Sequence, residues 1–267
     1  MRSLVSLVLA AWLAVHSSAA SAAQRTILVV FAHPDDETLI GPLLSAYARK
    51  GVRARLVIAT NGDQGVSPHA GIPAGPALAE VRAKEAQCSS QALGIEAPIL
   101  LGFEDGELGR FGLPPWEYLG RLERELRDLL AELRPDVVIT FGPEGAYGHP
   151  DHRLVGAVVT QLVQAGVDGA PAVLLYPGFP KDRLAKSGDL SGPWSPTDRR
   201  FLTVRIPYED EDLSATRAAL ACHKSQFPDD QVESLTQWTH QALGGQVYLR
   251  PWFGEAEADD LLELATR

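Results

Sequence analysis

An α/β architecture, a single Rossmann-like domain with a doubly wound, mostly parallel sheet and helices on both faces, is expected from three features of the chain. Unbroken apolar runs alternate with helical patterns, as strands buried on both faces require. Long polar loops follow the second and third of these runs and a shorter one the fourth. Two dense His/Asp motifs each come directly after an apolar run and directly before a helical pattern, the place where open α/β sheets bind ligands.

Taken in order, Thr26-Ile27-Leu28-Val29-Val30 is the first strand, and it leads into Phe31-Ala32-His33-Pro34-Asp35-Asp36-Glu37. The spacing of Leu39, Leu43, Leu44 and Tyr47 predicts a helix from Thr38 to Lys50, stopped by Gly51. Val52 to Thr60 is the second strand, and the Gly- and Pro-rich stretch Asn61 to Pro76 is long enough to suggest a functional loop. Helix formers run from Ala77 to Leu93, ahead of a third strand at Pro98 to Leu101 and a polar loop from Gly102 to Arg110. Trp116 to Leu133 is amphipathic, with Leu119, Leu122, Leu126, Leu129 and Leu130 on one face. Val137 to Phe141 is the fourth strand, followed by the loop Gly142 to Gly148, the motif His149-Pro150-Asp151-His152 and a further helix. Ala172 to Tyr176 and Phe201 to Ile206 are read as strands five and six, with an irregular loop between them and a late helix from about Glu209.

In the strand order 3-2-1-4-5 the first and fourth strands are neighbours at the switch point. That order gathers His33, Asp35, Asp36, His149, Asp151 and His152 into one crevice, although more than a hundred residues separate the two motifs. Two histidines and one carboxylate that leave positions open describe a hydrolytic zinc site. His33 and Asp36, three apart at a helix start, face one point, and His152 completes the set from across the crevice. The same donors hold Fe(II) in oxygenases, so iron stays open beside zinc. Asp35 and His149 are surplus to the ligands and free to move protons, which favours hydrolysis. Taken singly, either motif is more simply a turn with a helix cap; their joint placement is what argues for a site.

Outside the crevice the chain carries a net charge of −10, which argues against nucleic acid or anionic lipid as a partner. Arg2, the apolar stretch Leu4 to Val15 and the small residues up to Ala23 have the form of a signal peptide over residues 1–22, too short for the ~20 apolar residues of a membrane span. Export to the periplasm or the exterior and a mature domain of residues 23–267 follow as expectations, with the oligomeric state open. Cys88 and Cys222 are read as buried thiols, and a disulfide is the alternative that export allows. The Gly-x-Ser-x-Gly elbow, the phosphate loop and a Gly-x-Gly-x-x-Gly after the first strand are all missing, against serine hydrolase, nucleotidase and dinucleotide enzyme.

Ala32-His33-Pro34-Asp35-Asp36-Glu37 together with Tyr147-Gly148-His149-Pro150-Asp151-His152 resembles the PIG-L, or LmbE-like, family of zinc-dependent N-acetylglucosaminyl deacetylases, over about Thr26 to Gln226. The resemblance implies one zinc ion per chain on His33, Asp36 and His152, with Asp35 as general base and His149 as general acid or charge stabiliser. It also implies that Asp151 orients a histidine and that Tyr147 meets the oxyanion. Asp105 lies in a loop like the family's sugar-binding loop, and Arg82 with Glu85 resembles its Arg-x-x-Glu helix, so Arg82 and Asp105 are placed at the substrate. The alternative for Arg82 and Glu85 is an i, i+3 surface pair. His223-Lys224-Ser225-Gln226 resembles a recurring His-x-Ser-Gln segment, for which a helix cap would suffice. The expected activity is removal of acetyl from an N-acetylglucosamine-type glycan or small molecule. The competing readings are an amidase for a non-sugar amide and an exported carbohydrate-binding protein; the intact Asp35 argues against the latter.

Overall fold

The computed structural model describes residues 24–109, 117–186, 194–254 and 256–266; the leader read over residues 1–22 lies outside them. β1 (Thr26–Phe31) is buried along its whole length, and a 3-10 turn, Asp36–Ile40, joins it to α1 (Gly41–Arg49). β2 (Arg53–Thr60) and α2 (Pro76–Ala92) follow, then β3 (Ile99–Phe103) and α3 (Glu117–Leu133), which buries the stripe Leu122, Leu126 and Leu130. β4 (Val137–Thr140), again fully buried, leads through the short α4 (Gly145–Gly148) into α5 (Pro150–Gln164) and β5 (Val173–Pro177). These five strands are parallel in the expected order β3-β2-β1-β4-β5. With right-handed crossovers, the helices of the β1–β3 half cover one face and α3 and α5 the other.

Beyond β5 the chain departs from the expectation. The stretch read as irregular holds β6 (Phe179–Pro180) paired with β7 (Pro196–Thr197), and between them α6 (Lys181–Leu184). The sixth strand begins later than predicted, as β8 (Val204–Pro207), because Arg199–Phe201 is wound into a 3-10 turn capped by Asp198. After α7 (Asp210–Cys222) and α8 (Val232–Leu243), β9 (Gln246–Pro251) enters the sheet between β5 and β8, antiparallel to both; α9 (Leu261–Leu264) follows. Six residues of mixed polarity give β9 no clear pattern in sequence, and it is a strand because two partners satisfy its backbone. Among the described residues no helix is long and apolar enough to cross a membrane.

The thiol reading is corrected. Cys88, in α2, and Cys222, the last residue of α7, are joined in a disulfide with Cα atoms 5.7 Å apart. Helical patterns put both cysteines on helices but do not show that α7 returns to pack across α1 and α2. Two further contacts seat the layers. Asp212 on α7 takes Arg49 and Ser45 of α1, and Gly156 of α5 lies so close to the Phe141 carbonyl that any Cβ would run into it.

Candidate active site

Both motifs leave the sheet at the carboxyl ends of the adjacent strands β1 and β4. After β1 the chain reverses at Asp35, whose φ of 111° is in the left-handed region that a residue with a Cβ rarely adopts. The reversal lets the Asp36 carboxylate fold back: its Oδ2 accepts the backbone N–H groups of Ala32 (3.1 Å) and His33 (2.8 Å). After β4, Gly145, Ala146 and Gly148 take positive φ through α4, and His149 caps α5 by accepting the Asp151 N–H at Nδ1 (3.2 Å). With Nδ1 used as an acceptor, the proton of a neutral His149 sits on Nε2, which has no partner among the described residues.

The two segments converge on one point. His33 Nδ1 lies 3.1 Å from His152 Nε2, His152 Nε2 lies 3.2 Å from Asp36 Oδ1, and His33 Nδ1 lies 3.6 Å from Asp36 Oδ2. Tetrahedral ligands ~2.0–2.1 Å from one ion stand roughly 3.3 Å from one another, so this donor set has the dimensions of a zinc cradle. The outer nitrogens are held as metal-binding histidines require. His152 donates Nδ1–H to the Gly145 carbonyl (3.2 Å) and stacks on Phe141, and His33 Nε2 faces Asp105 (3.1 Å) and Asp151 (3.4 Å). Other groupings of possible ligands, His33 with His149 and His152 or His33 with Asp105 and Asp151, also lie close together. They compete less well, because His149 Nδ1 is occupied at the helix cap and the two aspartates face the opposite edge of His33.

The electrostatics suit a cation. Burial works against a charge on His33, yet the carboxylates of Asp105, Asp151 and Asp36 hold its pKa well above the ordinary value. Burial likewise opposes ionisation of Asp36, and His152 and His33 overcome it and hold the carboxyl far below its usual range. Asp151 Oδ2 accepts the Gly106 N–H (2.8 Å), while its Oδ1 is buried with no partner among the described residues. Burial pushes Asp35 up to about 6, Arg82 pulling the other way, and burial with the neighbouring carboxylates raises Tyr147. Burial and the charges of His33 and His152 lower His149.

Asp35, Asp36 and Tyr147 open onto one cavity of about 400 Å³, whose lining includes the rings of Phe179, Trp194 and Trp238, Trp194 standing edge-on to Tyr147. A larger surface depression of about 1000 Å³ between Pro196 and Gly254 contains none of the clustered groups. The two residues expected at the sugar face inward. Arg82 is 3% exposed and donates to Asp35 Oδ2 (3.0 Å) and to the Pro34 and Gly62 carbonyls, in a slot that Gly62 keeps open. Asp105 faces His33 Nε2 with its carboxylate and donates its backbone N–H to Asp63 Oδ1 (3.1 Å). Neither is among the residues that line this cavity: Arg82 stands behind Asp35 and Asp105 behind His33. The surface-pair alternative fails too, because Glu85 is buried and binds the backbone N–H and hydroxyl of Ser225. The histidine that the Asp151 carboxylate faces is His33.

Residues 28–163, which hold both motifs, match the PIG-L family, described as GlcNAc-PI de-N-acetylase. This chain belongs to that family of de-N-acetylase enzymes. Among its relatives are a 1D-myo-inositol 2-acetamido-2-deoxy-alpha-D-glucopyranoside deacetylase of Catenulispora acidiphila, 31% identical over 76% of this chain and 80% of the relative, and one of Rhodococcus erythropolis, 34% identical over 79% and 69%. The fold is shared with the N,N'-diacetylchitobiose deacetylase of Pyrococcus horikoshii, at a TM-score of 0.62 with 20% identity over 85% of this chain and 83% of that one.

The family match ends before α7, and so do the residues that reading by motif singles out for a role. It gave no role to Glu37, Ser89 and His223, which are wholly buried, Ser89 and His223 both bonding to Glu37 directly behind Asp35. The only signals were the glutamate ending the first motif and the His-x-Ser-Gln segment.

Proposed function

We propose that this chain is a zinc-dependent deacetylase that hydrolyses the N-acetyl group of an N-acetylglucosamine-type sugar to acetate and the free amine. The observation that carries the reading is the meeting of His33 Nδ1, His152 Nε2 and Asp36 within 3.1–3.6 Å at the edge of a cavity that Asp35 and Tyr147 also line. When bound on those three residues, zinc supplies an acidified water, of pKa about 7, and a Lewis acid for the amide carbonyl. Iron(II) on the same donors is the alternative metal.

In this reading the Asp35 carboxylate accepts the proton of the attacking water. A cation beside it would draw the raised pKa of Asp35 back down and favour the ionised form further. The Tyr147 hydroxyl and His149 Nε2–H have no protein partner among the described residues and are the donors left for the charge that develops on the carbonyl oxygen. The proton that Asp35 takes from the water is passed to the leaving amine, and His149, kept neutral by the Asp151 N–H at Nδ1 and by its lowered pKa, serves as a hydrogen-bond donor. Carboxylates together with a wall of indole rings fit a sugar, which presents both hydroxyls and C–H faces. The extent of that aromatic wall favours one second reading, an amide with a bulky apolar substituent and no sugar. The signal-peptide-like pattern of residues 1–22 and the disulfide support a proposed action outside the cytoplasm, where oxidised cysteines persist.

The test is acetate release from N-acetylglucosaminides and from simple acyl amides, before and after chelation and with zinc or iron(II) restored. Chelator-sensitive release from the sugars is expected. Turnover of simple amides alone would overturn the sugar reading.

A further inference from the structure

The chemistry above uses Asp35 but leaves unexplained why a residue with a Cβ holds φ 111° there. Its groups are tied at three points. The carbonyl accepts both the N–H (3.0 Å) and the hydroxyl (2.7 Å) of Thr38, the carboxylate takes Arg82, and the N–H is donated to Glu37 Oε2 (3.0 Å). Glu37 is the tie that reaches furthest. Its Oε1 accepts the Ser89 hydroxyl from α2 and His223 Nε2 (2.6 Å) from the end of α7, and all three residues are wholly buried. Ser89 and His223 are the residues directly after Cys88 and Cys222, so the disulfide joins the two elements one residue before each donor. On the far side Glu85 of α2 holds Ser225 by its N–H (2.7 Å) and hydroxyl (2.6 Å).

We propose that Glu37, held by Ser89 and His223, is the positioning residue that keeps Asp35 in its working conformation, and that the Cys88–Cys222 disulfide locks this clamp, so that turnover depends on the bond being formed. The inference rests on Asp35 being the base. A single buried carboxylate receives donors from two helices and passes the constraint to one backbone N–H. Loosening either helix frees Asp35 to turn back to an ordinary φ, which swings its carboxylate away from the reacting water. Misplacement of about 1 Å in a catalytic group can cost 10²-fold.

The experiment compares His223→Ala, His223→Gln and Ser89→Ala with the wild type in kcat, KM, bound metal per chain and amide exchange of the segment around Asp35. The last readout is taken on chelated protein, so that it does not depend on activity. His223→Ala should lower kcat about tenfold or more with KM within about twofold, unchanged metal content and faster exchange at Asp35, effects of the size expected for a displaced group. His223→Gln, which restores an N–H donor to Glu37, should recover most of the loss. If His223→Ala does not fold, Ser89→Ala is judged by the same measures. Wild-type kcat in a folded variant, or a fall in kcat matched by loss of metal, would overturn the clamp, the second outcome meaning that Glu37 serves Asp36 instead. For the lock, the reduced wild type and the Cys88→Ser/Cys222→Ser variant should both show the lowered kcat and faster exchange; wild-type values in both overturn it. Asp35→Asn separates the two levels. Full turnover there sinks the base assignment and this inference together, whereas an inactive Asp35→Asn beside a fully active His223→Ala sinks the clamp alone.

Discussion

The segments that leave β1 and β4 meet at the same point but are built in opposite ways. From Phe31 to Thr38 every residue but Asp35 is buried, and the acidic side chains are bound on several sides by the protein. From Phe141 to His149 the chain is largely half-buried or exposed, three positions take positive φ, and Tyr147 is 39% exposed. In the proposed site the first segment is a fixed jaw that sets the geometry of the metal donors and the base. The second brings one proposed ligand, His152, fixed by Phe141 and Gly145, together with Tyr147 and His149, whose free donors the proposed mechanism gives to the substrate. Preorganisation is strongest where charge is handled before substrate arrives, and openness is confined to where substrate enters.

The contrast can be broken by substitution, and the largest effect belongs to the shared point. Asp36→Ala and His152→Ala should each empty the metal site and reduce acetate release to background, as elemental analysis of the purified variants will show; full zinc content in both would contradict the ligand assignment. Next comes Asp35→Asn, which should keep the metal and lose ~10²–10⁴-fold in kcat, the range for a general base, measured on metal-replete protein. Tyr147→Phe removes a donor from the open jaw. Because that donor is partly solvated, the expected loss is about tenfold in kcat/KM, below the ~10²-fold of a buried oxyanion donor, and an Asp35-sized effect would mean that the jaw closes over substrate.

The smallest effect lies beneath the fixed jaw. Burial opposes the charge of Asp212, but Arg49, the Glu209 N–H and Ser45 together hold its carboxyl below the ordinary range. A depressed carboxyl stabilises the fold above its unfolded value of ~3.9 and loses that contribution as pH falls through the folded one. Asp212→Asn should therefore lower Tm by a few degrees at pH 7, with the gap to wild type narrowing below about pH 4 in thermal melts. A constant gap down to pH 2 would assign the effect to packing instead of charge.

Period and composition were enough for the five parallel strands, the order around the switch point and the meeting of the two motifs. A strand buried on both faces must be written in apolar residues, and a crossover has a single favoured hand. The clustering of His33, Asp36, His149 and His152 beside Asp35 was legible for a similar reason, since both motifs leave neighbouring strand ends, and the chemistry proposed for them rests on how few side chains can serve a metal and a proton at that spacing. What only the tertiary structure decided depends on contacts between segments far apart in the chain. β9 is a strand because β5 and β8 lie on either side of it, and Arg82 and Asp105 face inward because Asp35 and His33 lie in front of them. Cys88 and Cys222 pair because α7 returns across α2, and that same return carries His223 to Glu37, 186 positions away. Local pattern records how each residue meets its neighbours along the chain and the layer beneath, whereas the partner of a buried polar group is set by where the remote chain ends up.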